Sequence, residues 1–192
     1  MRRLAVAVGL VLVALAAGWA VVDHEMPGWY ARLRYPLAHT DAIREGASRN
    51  RLDPALIAAM IEKESKFHSD ASSRMGAVGL MQMLPSTAEE IAHESGGQDF
   101  MLGDLHDPRI NVLYGSYYLR RLLDRYDGDE VAAVAAYNAG QGNVDSWLRT
   151  SGAGRLRVSD IPFAETRQYV RDVERLQTIY RRAYGSRLGP AP

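Results

Sequence analysis

The chain has 192 residues, with 23 basic and 23 acidic side chains and no cysteine. This length suffices for one ordinary domain and a short extension. A net charge of zero, without runs of like charge, gives no basic surface for nucleic acid. The lack of cysteine excludes a disulfide framework, a cysteine-ligated zinc site and a thiol nucleophile.

The chain begins with an apolar segment. Residues 4–22 carry no charge and follow Arg2 and Arg3 directly. As a helix this segment is about 28 Å long, close to the thickness of the bilayer hydrocarbon. Residues 14–16 resemble a signal-peptide cleavage site, but the apolar run continues beyond them, which favours an uncleaved anchor over a cleaved signal. The two arginines predict that the N-terminus is cytoplasmic.

This segment sets the predicted organisation of the chain. Residues 1–22 are expected to be the membrane anchor, 23–36 a juxtamembrane linker and 37–192 an extracytoplasmic domain. Trp29 and Tyr30 suit a membrane interface, but they suit packing on the domain equally well. The sequence therefore predicts a single-pass protein of the cytoplasmic membrane.

The rest of the chain predicts an all-α domain, because apolar residues recur at helical spacing and alternating strand patterns of useful length are absent. Two Asp-Pro pairs mark helix starts, since Asp caps a helix and Pro fits its first position. The Ser- and Gly-rich residues 66–80 are predicted to form a loop, and the sequence also permits a small hairpin within residues 66–82. The predicted helices cover 37–48, 54–65, a start at 85–89 with Ser86 and Glu89 spaced as a capping box, 108–126, 131–137 and a last helix from Phe163.

Two further patterns favour structure over ligand binding. The last helix carries an apolar stripe that predicts core packing. The histidines 24, 39, 68, 93 and 106 are scattered without a pair at i, i+4, so neither a metal nor a cofactor is expected. The residues of the stripe are Tyr169, Val173, Leu176, Tyr180 and Tyr184.

Glu64 is the candidate catalytic residue. It continues the apolar face of the helix from Pro54, four positions after Met60, whereas Glu62 faces away and is expected to be solvated. A buried carboxyl group has a raised pKa and can donate a proton near neutral pH. Helical spacing alone favours an alternative, in which Glu64 is exposed at the helix end or pairs with an arginine.

The segment that follows changes this balance, because it closely resembles the SLT-type lytic transglycosylases, whose domain is related to goose-type lysozyme. The resemblance covers residues 38–185, and several motifs in the same order make it specific. One departure is Ser69, where the family often has proline. The matching blocks are Glu-Ser-x-aromatic at 64–67, Gly-Ala-x-Gly-Leu-Met-Gln at 76–82, Pro-x-Thr-Ala at 85–88, Asn-x-x-x-Gly-x-x-Tyr-Leu at 111–119, Ala-Tyr-Asn-Ala-Gly at 136–140 and Glu-Thr-Arg-x-Tyr-Val at 165–170.

The resemblance implies a lysozyme-like fold of several helices around a saccharide cleft and cleavage of peptidoglycan glycan strands. Glu64 matches the family's single general acid/base, which cuts between N-acetylmuramic acid and N-acetylglucosamine without water and leaves a 1,6-anhydro end. The positions that match cleft residues are Ser73, Met81, Gln82, Tyr137, Asn138 and Glu165. Taken alone, Met81 also suits an ordinary core position and Asn138 a helix end.

Two rival interpretations remain open at this point. A lysozyme-like hydrolase would need a second carboxylate to activate water, and Asp70 and Glu165 are the candidates. An inactive peptidoglycan-binding scaffold would keep the cleft without turnover. The sequence gives no information on protein partners, on oligomeric state, or on endo- against exo-action.

Overall fold

The computed structural model describes residues 26–95, 100–152 and 154–191 of the chain. Within these ranges the regular structure is helical, apart from two isolated antiparallel bridges, so the predicted all-α class is confirmed. Two 3-10 turns cover Leu102–His106 and Val158–Asp160. The α-helices are α1 Gly28–Arg34, α2 Thr40–Asn50, α3 Pro54–Ser65, α4 Pro85–Ser95, α5 Pro108–Arg125, α6 Glu130–Ala139, α7 Gln141–Ser151 and α8 Ala164–Leu188.

The chain divides into two compact units between Pro36 and Leu37. The first unit contains α1, inside the segment that the sequence predicts as a linker. Pro27 caps the N-terminus of α1, and Pro36 follows its C-cap residue Tyr35. The two prolines therefore bracket a helix, because proline is excluded from a helix interior but tolerated at its edges.

The predicted membrane-spanning helix over residues 4–22 lies outside the described residues. Of the helices that the structure does describe, none is both long and apolar enough to cross a bilayer. α1 has seven residues, against the roughly 20 that a spanning helix needs.

The two Asp-Pro pairs start helices as predicted. Asp53 accepts a hydrogen bond from the backbone N–H of Ala55 at 2.9 Å, and α3 then runs to Ser65. Asp107 accepts from the N–H groups of Arg109 and Ile110 at 2.8 and 3.0 Å, and α5 follows. In both helices the aspartate satisfies backbone donors that have no partner inside the helix.

Other helix ends differ from the prediction. α4 begins at Pro85, and the carbonyl oxygen of Leu84 accepts the first bond, from Ala88 at 3.0 Å. Ser86 therefore lies within the first turn and not at the N-cap, so the predicted capping box is wrong. α2 likewise begins at Thr40, three residues later than predicted, and extends to Asn50.

α7 is a helix that the sequence does not predict. Its two buried residues, Val144 and Trp147, make a stripe too short to show a helical period. Gly140, with φ of 86°, separates it from α6 and is both the C-cap residue of α6 and the N-cap residue of α7.

α3 is the central helix of the second unit. Every residue from Pro54 to Ile61 is buried, as expected for a helix that is apolar on all faces. α8 packs along α3, and the alanine-rich α6 packs against α5, α7 and α8. The last turn of α3, which carries Glu64, therefore lies next to α8.

Asn111 on α5 holds the loop that follows α3. Its buried side-chain amide donates to the carbonyl oxygens of Val78 and Leu105 at 2.8 and 2.9 Å. Its Oδ1 accepts from the backbone N–H of Met81 at 2.8 Å. One side chain thus bonds three main-chain groups. The carbonyl oxygen of Val78 also accepts from the backbone N–H of Met83 at 3.0 Å, whereas the Met81 N–H and the Leu105 carbonyl depend on Asn111.

The loop approaches α5 closely at Gly79. A Cβ atom there would lie 2.2 Å from the amide nitrogen of Asn111, and the φ angle of 79° also favours glycine. The predicted small hairpin is reduced to isolated bridges, in which Val78 pairs with Ser72 and with Met83. The side-chain bonds of Asn111 therefore replace a regular sheet ladder.

We predict that Asn111→Ala lowers the free energy of unfolding by about 3 kcal/mol, because it leaves the Met81 N–H and the Leu105 carbonyl oxygen without this partner. Urea denaturation followed by circular dichroism measures this change. Asn143→Ala is the matched control, because Asn143 is exposed and its amide bonds a single carbonyl oxygen, that of Ala139 at the end of α6. The control should change stability by less than about 0.5 kcal/mol, and equal losses would contradict the role of Asn111.

Candidate active site

Glu64 lies in the last turn of α3, one turn beyond the buried run that ends at Ile61. The chain turns sharply after Ser65, because Lys66 and Phe67 have φ angles of 51° and 63°. The Glu64 side chain itself is half-buried. This position agrees with the inward-facing interpretation of Glu64 and not with an exposed carboxylate at a helix end.

Tyr169 on α8 is the hydrogen-bond partner of Glu64. Its hydroxyl donates to Glu64 Oε1 at 2.5 Å, and the residue is 4% exposed. The two residues are 105 positions apart in the sequence, so the bond exists because α8 packs along α3. A buried tyrosine hydroxyl needs a polar partner, and the carboxylate supplies one.

Burial raises the pKa of Glu64 to about 7, because the ionised carboxylate loses hydration. The hydrogen bond from Tyr169 and the positive charge of Lys63 both act in the opposite direction and limit the rise. Lys63 also pairs with Asp172, at 2.7 Å from Nζ to Oδ2. Near neutral pH both protonation states of Glu64 are populated, which suits a group that donates a proton and takes one back.

A pocket of about 280 Å³ lies where the loop after α3 meets the end of α6. Its wall combines aromatic rings, apolar side chains and a few polar groups, as is typical of small-molecule sites. The lining residues are Gln82, Met83, Leu84, Thr87, Tyr118, Ala136, Tyr137, Asn138, Ala139 and Gly140.

Tyr137 belongs both to this pocket and to the surroundings of Glu64. Its hydroxyl donates to the carbonyl oxygen of Met81 at 2.8 Å, and its ring centre is 5.3 Å from that of Tyr118. Burial, and then the negative charge of Glu64, raise the pKa of Tyr137 well above its ordinary value. Tyr137 therefore stays a neutral donor and presents a ring to the pocket.

Gln82 lines the pocket in a left-handed backbone conformation, with φ of 47°. Its amide nitrogen donates to the carbonyl oxygens of Ala71 and Gly79 at 3.1 and 2.9 Å. Within the described part of the chain, its Oε1 accepts no hydrogen bond. The amide thus fixes the loop through its nitrogen and keeps an acceptor for a ligand.

Ser73 and Met81 hold structural positions outside the wall of this pocket. Ser73 Oγ accepts from the backbone N–H groups of Met75 and Ala77 at 3.2 and 3.0 Å, which closes the tip of the loop. The Met81 side chain is fully buried, and a Cβ atom on Gly115 would lie 2.5 Å from its sulfur. Met81 reaches the site region through its carbonyl oxygen, which binds Tyr137.

Asn138 and Glu165 lie at neighbouring helix ends. Asn138 lines the pocket, and its Oδ1 accepts from the hydroxyl of Thr166 at 2.8 Å. Glu165 is exposed in the first turn of α8 and is not part of the pocket wall. The structure therefore brings three of the six predicted substrate contacts to one pocket, namely Gln82, Tyr137 and Asn138.

The apolar stripe of the last helix predicts Tyr169 as a core residue and gives no sign of its contact with Glu64. The hydroxyl group of Tyr169 is the one sequence feature that indicates such a contact, since a tyrosine in a buried stripe must find a hydrogen-bond partner. Glu62 was expected to be solvated, but it is half-buried and accepts a hydrogen bond from Tyr180 at 3.2 Å. α8 thus supplies a tyrosine to each of two glutamates of α3.

Together these features define a helical domain in which a partly buried glutamic acid, with a pKa near neutral, stands beside an aromatic pocket. The family described as the transglycosylase SLT domain matches residues 41–157. This match covers more than half of the chain, so the chain belongs to that family, as the sequence motifs predict.

Individual relatives agree with this assignment. The soluble lytic murein transglycosylase of Escherichia coli K12 is 34% identical over 159 residues, which are 80% of this chain and 24% of that protein. The membrane-bound lytic murein transglycosylase C of Edwardsiella ictaluri is 30% identical over 167 residues, 75% of this chain and 46% of that protein.

A solved structure shares the fold. The X-ray structure of an inactive glutamate-to-glutamine mutant of lytic transglycosylase Slt from Pseudomonas aeruginosa matches with a TM-score of 0.74 and 34% identity. The match covers 83% of this chain and 26% of that one. The chain thus spans between about a quarter and a half of the length of these proteins.

We predict that Glu64→Gln stabilises the fold at high pH. The folded state holds the Glu64 proton more tightly than the unfolded state, so stability is lost as pH rises from 4.5 towards 7. The variant lacks this loss and should be more stable at pH 8 by up to about 3 kcal/mol, a difference that closes towards pH 4. Urea denaturation at several pH values measures it, and a difference independent of pH would contradict the raised pKa.

Proposed function

We propose that the chain is a peptidoglycan lytic transglycosylase with Glu64 as its single general acid/base. The observation that carries the proposal is the burial of Glu64, which gives its carboxyl group a pKa of about 7 beside an aromatic pocket. The names of the relatives support the substrate class, since they are murein transglycosylases. The inactive glutamate-to-glutamine mutant of the Pseudomonas aeruginosa protein supports a requirement for one glutamic acid.

The proposed reaction has two proton transfers through one carboxyl group. Protonated Glu64 first donates its proton to the oxygen of the β-1,4 bond between N-acetylmuramic acid and N-acetylglucosamine, and the bond from C1 to that oxygen breaks. The Glu64 carboxylate then removes the proton from the C6 hydroxyl of the muramyl residue. The C6 oxygen bonds to C1 and closes a 1,6-anhydro ring, and Glu64 is again protonated.

A second carboxylate is unnecessary in this scheme, because the nucleophile belongs to the substrate. Most glycosidases need two carboxylates, since one of them must attack or activate water. A pKa near 7 allows Glu64 to act in both directions at neutral pH. The Tyr169 hydroxyl stabilises the carboxylate that exists between the two transfers.

The pocket residues are proposed to bind the glycan. Gln82 offers Oε1, Tyr137 a ring face and Asn138 an amide at the pocket wall. Met81 is proposed to contribute through its carbonyl oxygen, which orients Tyr137. Ser73 and Glu165, which lie outside this pocket wall, are proposed to contact parts of the strand beyond it.

We further propose that the enzyme works outside the cytoplasmic membrane, held by residues 4–22. The apolar sequence of this segment and the preceding arginines support a single-pass anchor. Residues 23–36 would then be the juxtamembrane segment and 37–192 the catalytic domain. Flotation of the full chain with lipid vesicles tests the anchor, and a chain that stays in the dense fraction contradicts it.

The product of the reaction gives the most direct test. The purified full chain should release muropeptides with 1,6-anhydro ends from peptidoglycan, as measured by mass spectrometry. Glu64→Gln should lower this release at least about a hundredfold, because it removes the general acid. Glu62→Gln is the matched control, since Glu62 lies on the same helix and also binds a tyrosine of α8, and it should stay active.

Other outcomes of this experiment would reject the proposal. Reducing ends would identify a lysozyme-like hydrolase and make Asp70 or Glu165 the candidate second carboxylate. Binding to peptidoglycan without any product, in the wild type as well as in Glu64→Gln, would identify a scaffold.

The pH dependence of cleavage tests the state of Glu64. Activity should fall as pH rises above about 7, because Glu64 then loses the proton that it must donate. Tyr169→Phe removes a bond that stabilises the carboxylate, so this fall should move to higher pH. Tyr180→Phe removes the equivalent bond to Glu62 and should leave the profile in place. The role of Tyr169 would be contradicted if both variants gave the same profile.

A further inference from the structure

α1 presents two large apolar side chains to solvent. Trp29 is 63% exposed and Leu33 is 76% exposed, and their spacing of four residues puts them on one helix face. Tyr30 and Ala31 are buried. The sequence left open, for both Trp29 and Tyr30, whether they suit a membrane interface or protein packing, and in the structure Tyr30 is buried while Trp29 is exposed.

Cationic side chains accompany this apolar face. Arg32 and Arg34 lie in the last turn of α1 and are exposed. Arginine can lay its aliphatic stem along an apolar surface and keep its guanidinium in the polar layer. An exposed tryptophan and leucine beside arginines is the pattern of a short amphipathic helix that lies in the plane of an anionic membrane surface.

The position of α1 in the chain indicates which surface is within reach. Five residues, 23–27, separate the apolar segment 4–22 from the first residue of α1. Fully extended, they span at most about 18 Å. If residues 4–22 cross the bilayer, the exposed face of α1 is therefore held within a short distance of the lipid headgroups.

We propose that α1 is an interfacial helix that seats Trp29 and Leu33 in the headgroup layer, while Arg32 and Arg34 bind anionic lipid headgroups. The proposal rests on the membrane anchor proposed above. α1 then fixes the chain at the membrane surface at the point where it leaves the bilayer.

The lack of cysteine in the chain allows a clean test. Leu33→Cys is labelled with an environment-sensitive fluorophore, and the full chain is reconstituted into phosphatidylglycerol-containing vesicles. The emission should shift to shorter wavelength and be quenched by lipids with a doxyl group near the headgroup. Ser48→Cys, on an exposed position of α2, is the matched control and should show neither change. Circular dichroism checks that each labelled variant is folded.

A second pair of measurements tests the cations. In the labelled chain, the double substitution Arg32→Gln and Arg34→Gln should lower the ratio of membrane-bound to unbound α1 by about fivefold for each arginine. Neutral phosphatidylcholine vesicles should weaken the quenching in the same way.

Trp29→Cys, labelled as a second reporter, should behave as Leu33→Cys does.

Flotation of the same vesicles separates failure of this proposal from failure of the anchor. If the chain floats but the probe at position 33 is as exposed as the probe at position 48, the proposed role of α1 is wrong and the anchor still stands. A shifted emission without doxyl quenching means that protein covers the face and also overturns that role. A chain that does not float overturns the anchor together with this proposal.

Discussion

The packing of α8 along α3 is the contact on which the candidate site depends. It brings the Tyr169 hydroxyl to Glu64 and removes water from the carboxylate, so that the pKa of Glu64 rises to about 7. The same burial opposes folding whenever Glu64 is ionised, because the unfolded chain hydrates the carboxylate better. Apolar burial offsets this cost, since every residue of α3 from Pro54 to Ile61 is buried. Reactivity and stability therefore oppose each other at one residue.

The pocket depends on irregular backbone and not on helix faces alone. The loop after α3 has no regular sheet, so Asn111 satisfies its backbone groups from α5. Gly79 permits the close approach that these bonds require. The amide of Gln82 completes the support from within the loop. The side chains that stabilise this loop thus also hold Gln82 in the pocket wall that it shares with Tyr137.

Local signals predicted much of this architecture. The Asp-Pro pairs at Asp53 and Asp107 fixed two helix starts, because capping depends on neighbours in the chain. α1 and α7 were missed because a seven-residue helix between prolines and a helix with two buried residues carry little periodicity. Of the residues predicted at the site, Gln82, Tyr137 and Asn138 line one pocket, while Met81 is buried and does not line it. A motif marks such residues without telling a side chain that faces a ligand from one that packs.

The sequence by itself determined the all-α class, the family and the candidate glutamic acid, because helical periodicity, caps and ordered motifs are local properties of the chain. Tertiary structure decided the state of that acid. The bond to Glu64 comes from Tyr169, 105 positions away, and the desolvation comes from the burial of the carboxyl group, so no local pattern contains either of them. The two tyrosine–glutamate pairs make the same point, since helical spacing placed Glu62 in solvent, whereas Tyr180 of α8 binds it. Burial is a property of the packed helices together, so it can be read only once α8 lies against α3.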